Sequence, residues 1–101
     1  MFTKTVEKAL NEQIEAEMAS SQYYLAMASW AETKGFNGVS DFLYSQSDEE
    51  RGHMLKLVKY INERGGQALV PAIKAQPKSF KSLTYVFEQL LAHEIEVSRL
   101  I

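Results

Sequence analysis

Glu50 and His53 stand three residues apart in the stretch Glu50-Arg51-Gly52-His53. They put a carboxylate and an imidazole in the middle of what reads as a long amphipathic helix. A spacing of three places both side chains on one helix face. That face also carries the apolar residues. Leu43, Glu50, Leu57 and Arg64 form one seven-residue row, and Val39, Gln46, His53 and Tyr60 form the adjacent one. Together they make a core-facing seam of the kind helix bundles use. An unpaired charge buried there is costly, so the pair needs a reason. It either holds a metal ion or forms a hydrogen-bonded structural pair, and on its own it supports both readings.

Two more carboxylates fall on such rows. Glu17 belongs to the row Leu10, Glu17, Tyr24, Ala31, and Glu94 to the row Phe87, Glu94, Ile101. Single carboxylates could be local salt-bridge partners. Three meeting in one core would repel, because like charges ~4 Å apart cost about 4 kcal/mol even at an effective dielectric of about 20. A shared cation resolves the repulsion. One histidine among several carboxylates favours iron or manganese over zinc or copper, which prefer more nitrogen or sulfur. Jointly, Glu17, Glu50, His53 and Glu94 point to a di-metal carboxylate site rather than a structural polar network. Spacing alone leaves the metal's identity open.

The elements that must position these groups are helices. The first is expected over residues 4–34, with Thr3 as N-cap and Glu7 in its first turn. Val6, Leu10, Ile14, Ser21, Leu25 and Ala28 trace its apolar face, and Gly35 ends it. Asn37-Gly38 reads as a short turn into a second helix over residues 39–64, stopped by Gly65-Gly66. Two long helices joined by a tight turn are antiparallel neighbours. Residues 66–81 contain Pro71 and Pro77 and show no helical period. The second helix should be ~40 Å long, and the segment can extend to ~50 Å. It can therefore run back along the bundle and start a third helix parallel to the second, with Val70 and Ile73 pinning it on the way. The third helix is expected over residues 82–101, capped by Ser79 or Ser82. Leu83, Val86, Phe87, Leu90, Leu91, Val97 and Leu100 form its apolar face, more than two helices can cover. His93 adjoins Glu94 but points elsewhere, as a surface or interface residue rather than a ligand.

Composition narrows the function classes. The chain has 101 residues, a net charge of −2 and no cysteine. It offers no basic surface for nucleic acid, no disulfide and no thiolate chemistry. No window approaches the ~18 uninterrupted apolar residues of a membrane span, and no signal-peptide segment follows Met1. A cytoplasmic protein is expected.

As a set, Leu10-Asn11-Glu12-Gln13-Ile14, Glu17, Ser20-Ser21, Tyr24-Leu25, Met27-Ala28, Glu49-Glu50-Arg51-Gly52-His53-Met54, Arg64-Gly65-Gly66 and His93-Glu94 resemble the bacterial non-haem ferritins in order and spacing. The resemblance implies an all-α, ferritin-like four-helix bundle with a long crossover between the second and third helices and a short fifth helix. It also implies a 24-subunit homo-oligomeric cage for iron storage, and a di-iron centre that oxidises Fe(II) with O2 or peroxide. Position by position, Glu17 and His53 would hold the first iron, Glu50 would bridge, and Glu94 would hold the second. Tyr24 would lie against the centre, and Glu49 would serve a nearby third iron. The family extends beyond this chain's length, so the rest of the third helix and the fourth, with its ligands, would lie past Ile101. Arg51 stands where bacterioferritin has its haem-ligating methionine, so no haem is expected. Two other readings are a helical assembly module without turnover and a rubrerythrin-like peroxidase.

Overall fold

The computed structural model describes residues 2–98, with side chains through Glu96. Leu100, Ile101 and the side chain of Val97, all assigned above to the third helix, lie outside that range. The described residues form α1 (Lys4–Thr33), α2 (Asn37–Glu63) and α3 (Leu83–Ser98), with no strand among them. No described helix is long and apolar enough to cross a membrane.

Local chemistry accounts for the helix ends. Thr3 Oγ1 accepts the Val6 N–H at 3.2 Å, which satisfies one of the amides a helix start leaves free. At the other end Gly35 adopts φ +80°, and the Phe36 and Gly35 amides donate back to the Ala31 and Glu32 carbonyls at 3.0 Å. This is the Schellman arrangement, which needs a left-handed residue at its turn. Gly65 repeats it at the end of α2 with φ +85°, Gly66 N–H reaching Ile61 O at 3.0 Å.

The tightness of that first reversal corrects one expectation. Asn37-Gly38 is not a turn before the helix but its first residues. Residues 34–36 complete the reversal, and the Ser40 N–H already donates to Phe36 O at 2.9 Å.

α1 and α2 pack antiparallel along a molecule of 50 × 21 × 20 Å. Their shared interior has apolar ends and a polar middle. One cluster gathers Tyr24, Met27, Trp30, Ala31, Leu43, Phe80 and Val86; the other gathers Ile14, Met54 and Ile61. Between them lie buried Glu17, Ser20, Ser21, Ser47 and Glu50, with buried Gln13 next to Ile14. Val6, Leu25 and Tyr60, expected on the apolar seams, are exposed.

The crossover is held chiefly by polar contacts and one aromatic anchor. Asn11 clamps its start, donating to Gln67 O at 3.1 Å and accepting the Leu69 N–H at 2.8 Å. Val70 does not pin the segment: it is 74 % exposed. Phe80 does, buried against Tyr23 and Trp30. Ser82 caps α3, its Oγ accepting the Tyr85 N–H at 3.1 Å. Phe80, just before α3, reaches as far along α1 as Trp30, whereas Gln89 and Glu94 further on meet Tyr23 and Tyr24. α3 is thus antiparallel to α1 and parallel to α2, touching α2 through the Phe42 and Phe87 rings.

Candidate metal centre

A serine pair sets the register of the polar middle. Ser21 Oγ donates to Ser47 O and Ser47 Oγ donates to Ser21 O, each at 2.8 Å, with the two hydroxyls 3.1 Å apart. Small side chains that satisfy the opposite backbone let α1 and α2 approach closely. Glu17 lies one turn from Ser21, and Glu50 one turn from Ser47. The clamp therefore brings the two carboxylates level.

Around that level three of the predicted residues converge. His53 Nδ1 lies 3.5 Å from both Glu17 Oε2 and Glu50 Oε2. One ligand atom from each of Glu17, Glu50 and His53 falls within 4.8 Å of the other two. The carboxylates are buried, Glu17 3 % and Glu50 5 % exposed, while the His53 side chain is 47 % exposed. The histidine thus forms the solvent-facing edge of the group, not part of a fully buried seam. Beside it opens a cavity of about 500 Å³ lined by Leu10, Gln13, Glu17, His53, Lys56 and Leu57 among others.

Glu94 approaches from α3. Its Oε1 accepts the Tyr24 hydroxyl at 2.8 Å. Tyr24 is fully buried, and burial together with the Glu94 carboxylate holds its phenol protonated well above the usual range. Burial first, and then the Glu17 and Glu94 carboxyls within hydrogen-bonding reach, push Glu50 up to about 9. The crowded carboxyls thus favour keeping a proton at Glu50 when no cation is present to offset their charge.

The remaining candidates sit outside this group. Glu49 is exposed, one residue round the helix from Glu50, and does not join the cluster. His93, expected at a surface or interface, is half-buried in the α1–α3 contact, edge-on to the Tyr23 and Tyr24 rings at 5.1 and 5.9 Å. Burial lowers its pKa. Its ring points towards α1 because α3 rests mainly on that one helix, so neighbouring positions 93 and 94 both face it. Gln13 and Ser47 were missed. A usable signal existed for both: each falls one turn from a candidate carboxylate, on the same face.

The donor set fits a hard divalent or trivalent cation. Glu17 Oε2 is buried with no hydrogen-bond partner, an expensive state for a carboxylate oxygen without a positive partner. Oxygen donors with one imidazole suit iron or manganese.

Comparison with known proteins agrees with this architecture. Residues 7–101 match the ferritin family, described as a ferritin-like domain. A bacterial non-heme ferritin of Bacteroides fragilis is 41 % identical over the whole chain, which covers 64 % of that protein. A probable bacterial non-heme ferritin-like protein of Haemophilus influenzae is 42 % identical over 93 % of the chain and 57 % of its own length. The crystal structure of an open pore ferritin from Archaeoglobus fulgidus superposes with a TM-score of 0.93 at 33 % identity, over 99 % of this chain and 62 % of that one. The chain spans about three-fifths of the length of these relatives. With a family match across nearly all of its residues and its fold shared with solved ferritins, the chain belongs to the ferritin-like domain family.

Proposed function

We propose that this chain belongs to an iron-storage protein that oxidises Fe(II) at a di-iron carboxylate centre and keeps the product as ferric mineral inside a cage of 24 copies. Iron is the substrate here. The observation that carries the reading is the convergence of Glu17, Glu50 and His53 on one point, with Glu17 Oε2 buried, without a hydrogen bond and facing His53 Nδ1.

The residues divide the work. Glu17 Oε2 and His53 Nδ1 hold the first Fe(II), and Glu94 holds the second. Glu50, within reach of both Glu17 and Glu94, bridges the two. Glu50 gives up its proton when the dications arrive, and its negative charge then offsets theirs. Carboxylates stabilise Fe(III) more than Fe(II), so the ligand set itself favours oxidation. Each of two Fe(II) ions gives up one electron. The pair reduces O2 with two protons to H2O2, or H2O2 with two protons to two waters. Tyr24 keeps Glu94 turned towards the centre through its hydroxyl. The half-exposed edge at His53 and the adjoining cavity give ions a way in. Glu49, beside Glu50 on the exposed face, would receive a third iron. A cysteine-free chain suits the reducing cytoplasm in which such storage operates.

Aerobic addition of Fe(II) tests this reading by the growth of ferric absorbance in the near ultraviolet. The protein should oxidise iron well above the rate in buffer and retain the product in solution. Oxidation at the buffer rate would refute it.

A further inference from the structure

Gln13 is a buried neighbour of the centre that belongs to no ligand pattern. It lies one turn before Glu17 on α1 and is 6 % exposed, and its Nε2 donates to Glu17 Oε1 at 2.9 Å. An ionised carboxylate oxygen only accepts, so the amide must present its NH2 end. The penalty falls on the other end of the side chain, where Gln13 Oε1 is buried without a hydrogen-bond partner. The contact does not satisfy every polar atom of the pair. One oxygen of Glu17 is tied down. The other is left bare and faces His53 Nδ1 at 3.5 Å.

We propose that Gln13 is a positioning residue that pins Glu17 Oε1, so that the carboxylate meets the first metal ion through Oε2 alone. The inference rests on the metal-centre reading above. A neutral donor suits the task. Lysine or arginine would also hold Oε1, but their charge would compete with the incoming cation. An apolar residue would leave the carboxylate free to rotate and present both oxygens. Hydrogen bonds of this kind orient a ligand and tune how strongly it binds.

The test is anaerobic titration of the full chain with Co(II), reading affinity, the visible ligand-field spectrum and the infrared carboxylate bands. Two variants remove the donor, Gln13→Met at constant length and Gln13→Leu as a second apolar choice. Both should weaken Co(II) binding by about 10–100-fold. Both should also shift the ligand-field and carboxylate bands as Glu17 engages through both oxygens. A folded variant of either kind that keeps the parent spectrum, whatever its affinity, would reduce Gln13 to a packing role and overturn the proposal. A parent that binds no Co(II) would overturn the metal-centre reading itself, which separates the two failures.

Discussion

The two sides of the centre are built differently. On the α1–α2 side, Glu17, Glu50 and His53 sit on long helices locked by the reciprocal Ser21–Ser47 hydrogen bonds and flanked by apolar clusters. On the α3 side, Glu94 is held by the Tyr24 hydroxyl and reaches Glu50 across the centre. Around it, α3 leaves Phe87, Leu91 and Ile95 exposed at four-residue intervals. The first side is a cradle whose geometry exists before any ion arrives; the second is one ligand on a helix that rests mainly on α1 and meets α2 only through the Phe42 and Phe87 rings among the described contacts. Preorganisation thus resides where the backbone is clamped, and the first ion should settle there.

Glu50 is the residue both sides share, so its loss has the largest expected effect. Glu50→Ala should reduce iron oxidation to the rate in buffer. Removing a carboxyl from a crowded pocket should leave the metal-free protein at least as stable as the parent. Stopped-flow oxidation and thermal unfolding check the two parts.

The pH response of the metal-free protein comes next, and it reports on the crowded side. Glu50 is raised in the fold to about 9, whereas an unfolded glutamate titrates at about 4.3. The folded state therefore binds the proton more tightly. Its contribution is fully present below pH ~4.3 and is lost as pH rises towards ~9, with a slope of at most ~1.4 kcal/mol per pH unit for one proton. Denaturant unfolding across that window should show falling stability. The trend should flatten in Glu50→Gln and reverse when Co(II) is added.

Ser47→Val should be felt on the clamped side first. It removes the donor to Ser21 O and crowds the helix contact, costing about 1–3 kcal/mol of stability. Tyr24→Phe should act on the other side and by less. Freeing Glu94 should weaken the second of two metal-binding steps about tenfold, in line with a lost hydrogen bond to a charged group, and leave the first step unchanged. Two-step calorimetric titration separates them. A Tyr24→Phe protein that lost the first step instead would contradict the contrast between the sides.

The legibility of the sequence followed the same divide. Glu17, Glu50 and His53 could be placed because charged groups on an apolar helical row stand out, and the 3.6-residue period puts them on one face. The long crossover and the parallel third helix followed from chain length and proline spacing. Gln13 and Ser47 were missed although each lies one turn from a candidate carboxylate, because that spacing does not by itself single out a neutral side chain. Small or neutral polar residues look the same whether they face water or satisfy a buried carbonyl. Val6 and Leu25 were misplaced because they were joined to the buried face by four-residue steps, each of which drifts about 40° round a helix of 3.6 residues per turn, whereas the row through Glu17, Tyr24 and Ala31 stays buried. The start of α2 was missed because a Schellman reversal needs fewer residues than the Asn-Gly pair suggested. Val70 was expected to pin the crossover, but Phe80 does so because its larger ring finds Trp30 and Tyr23.

The central claim is that the α1–α2 side is a ready-made metal cradle that fills first. Crystals given one equivalent of Fe(II) per chain under anaerobic conditions, with diffraction recorded at the iron edge, test it most directly. The account predicts one dominant anomalous peak bounded by Glu17 Oε2, Glu50 and His53 Nδ1, with little at Glu94. A peak on the Glu94 side alone, or none within reach of His53, would contradict it.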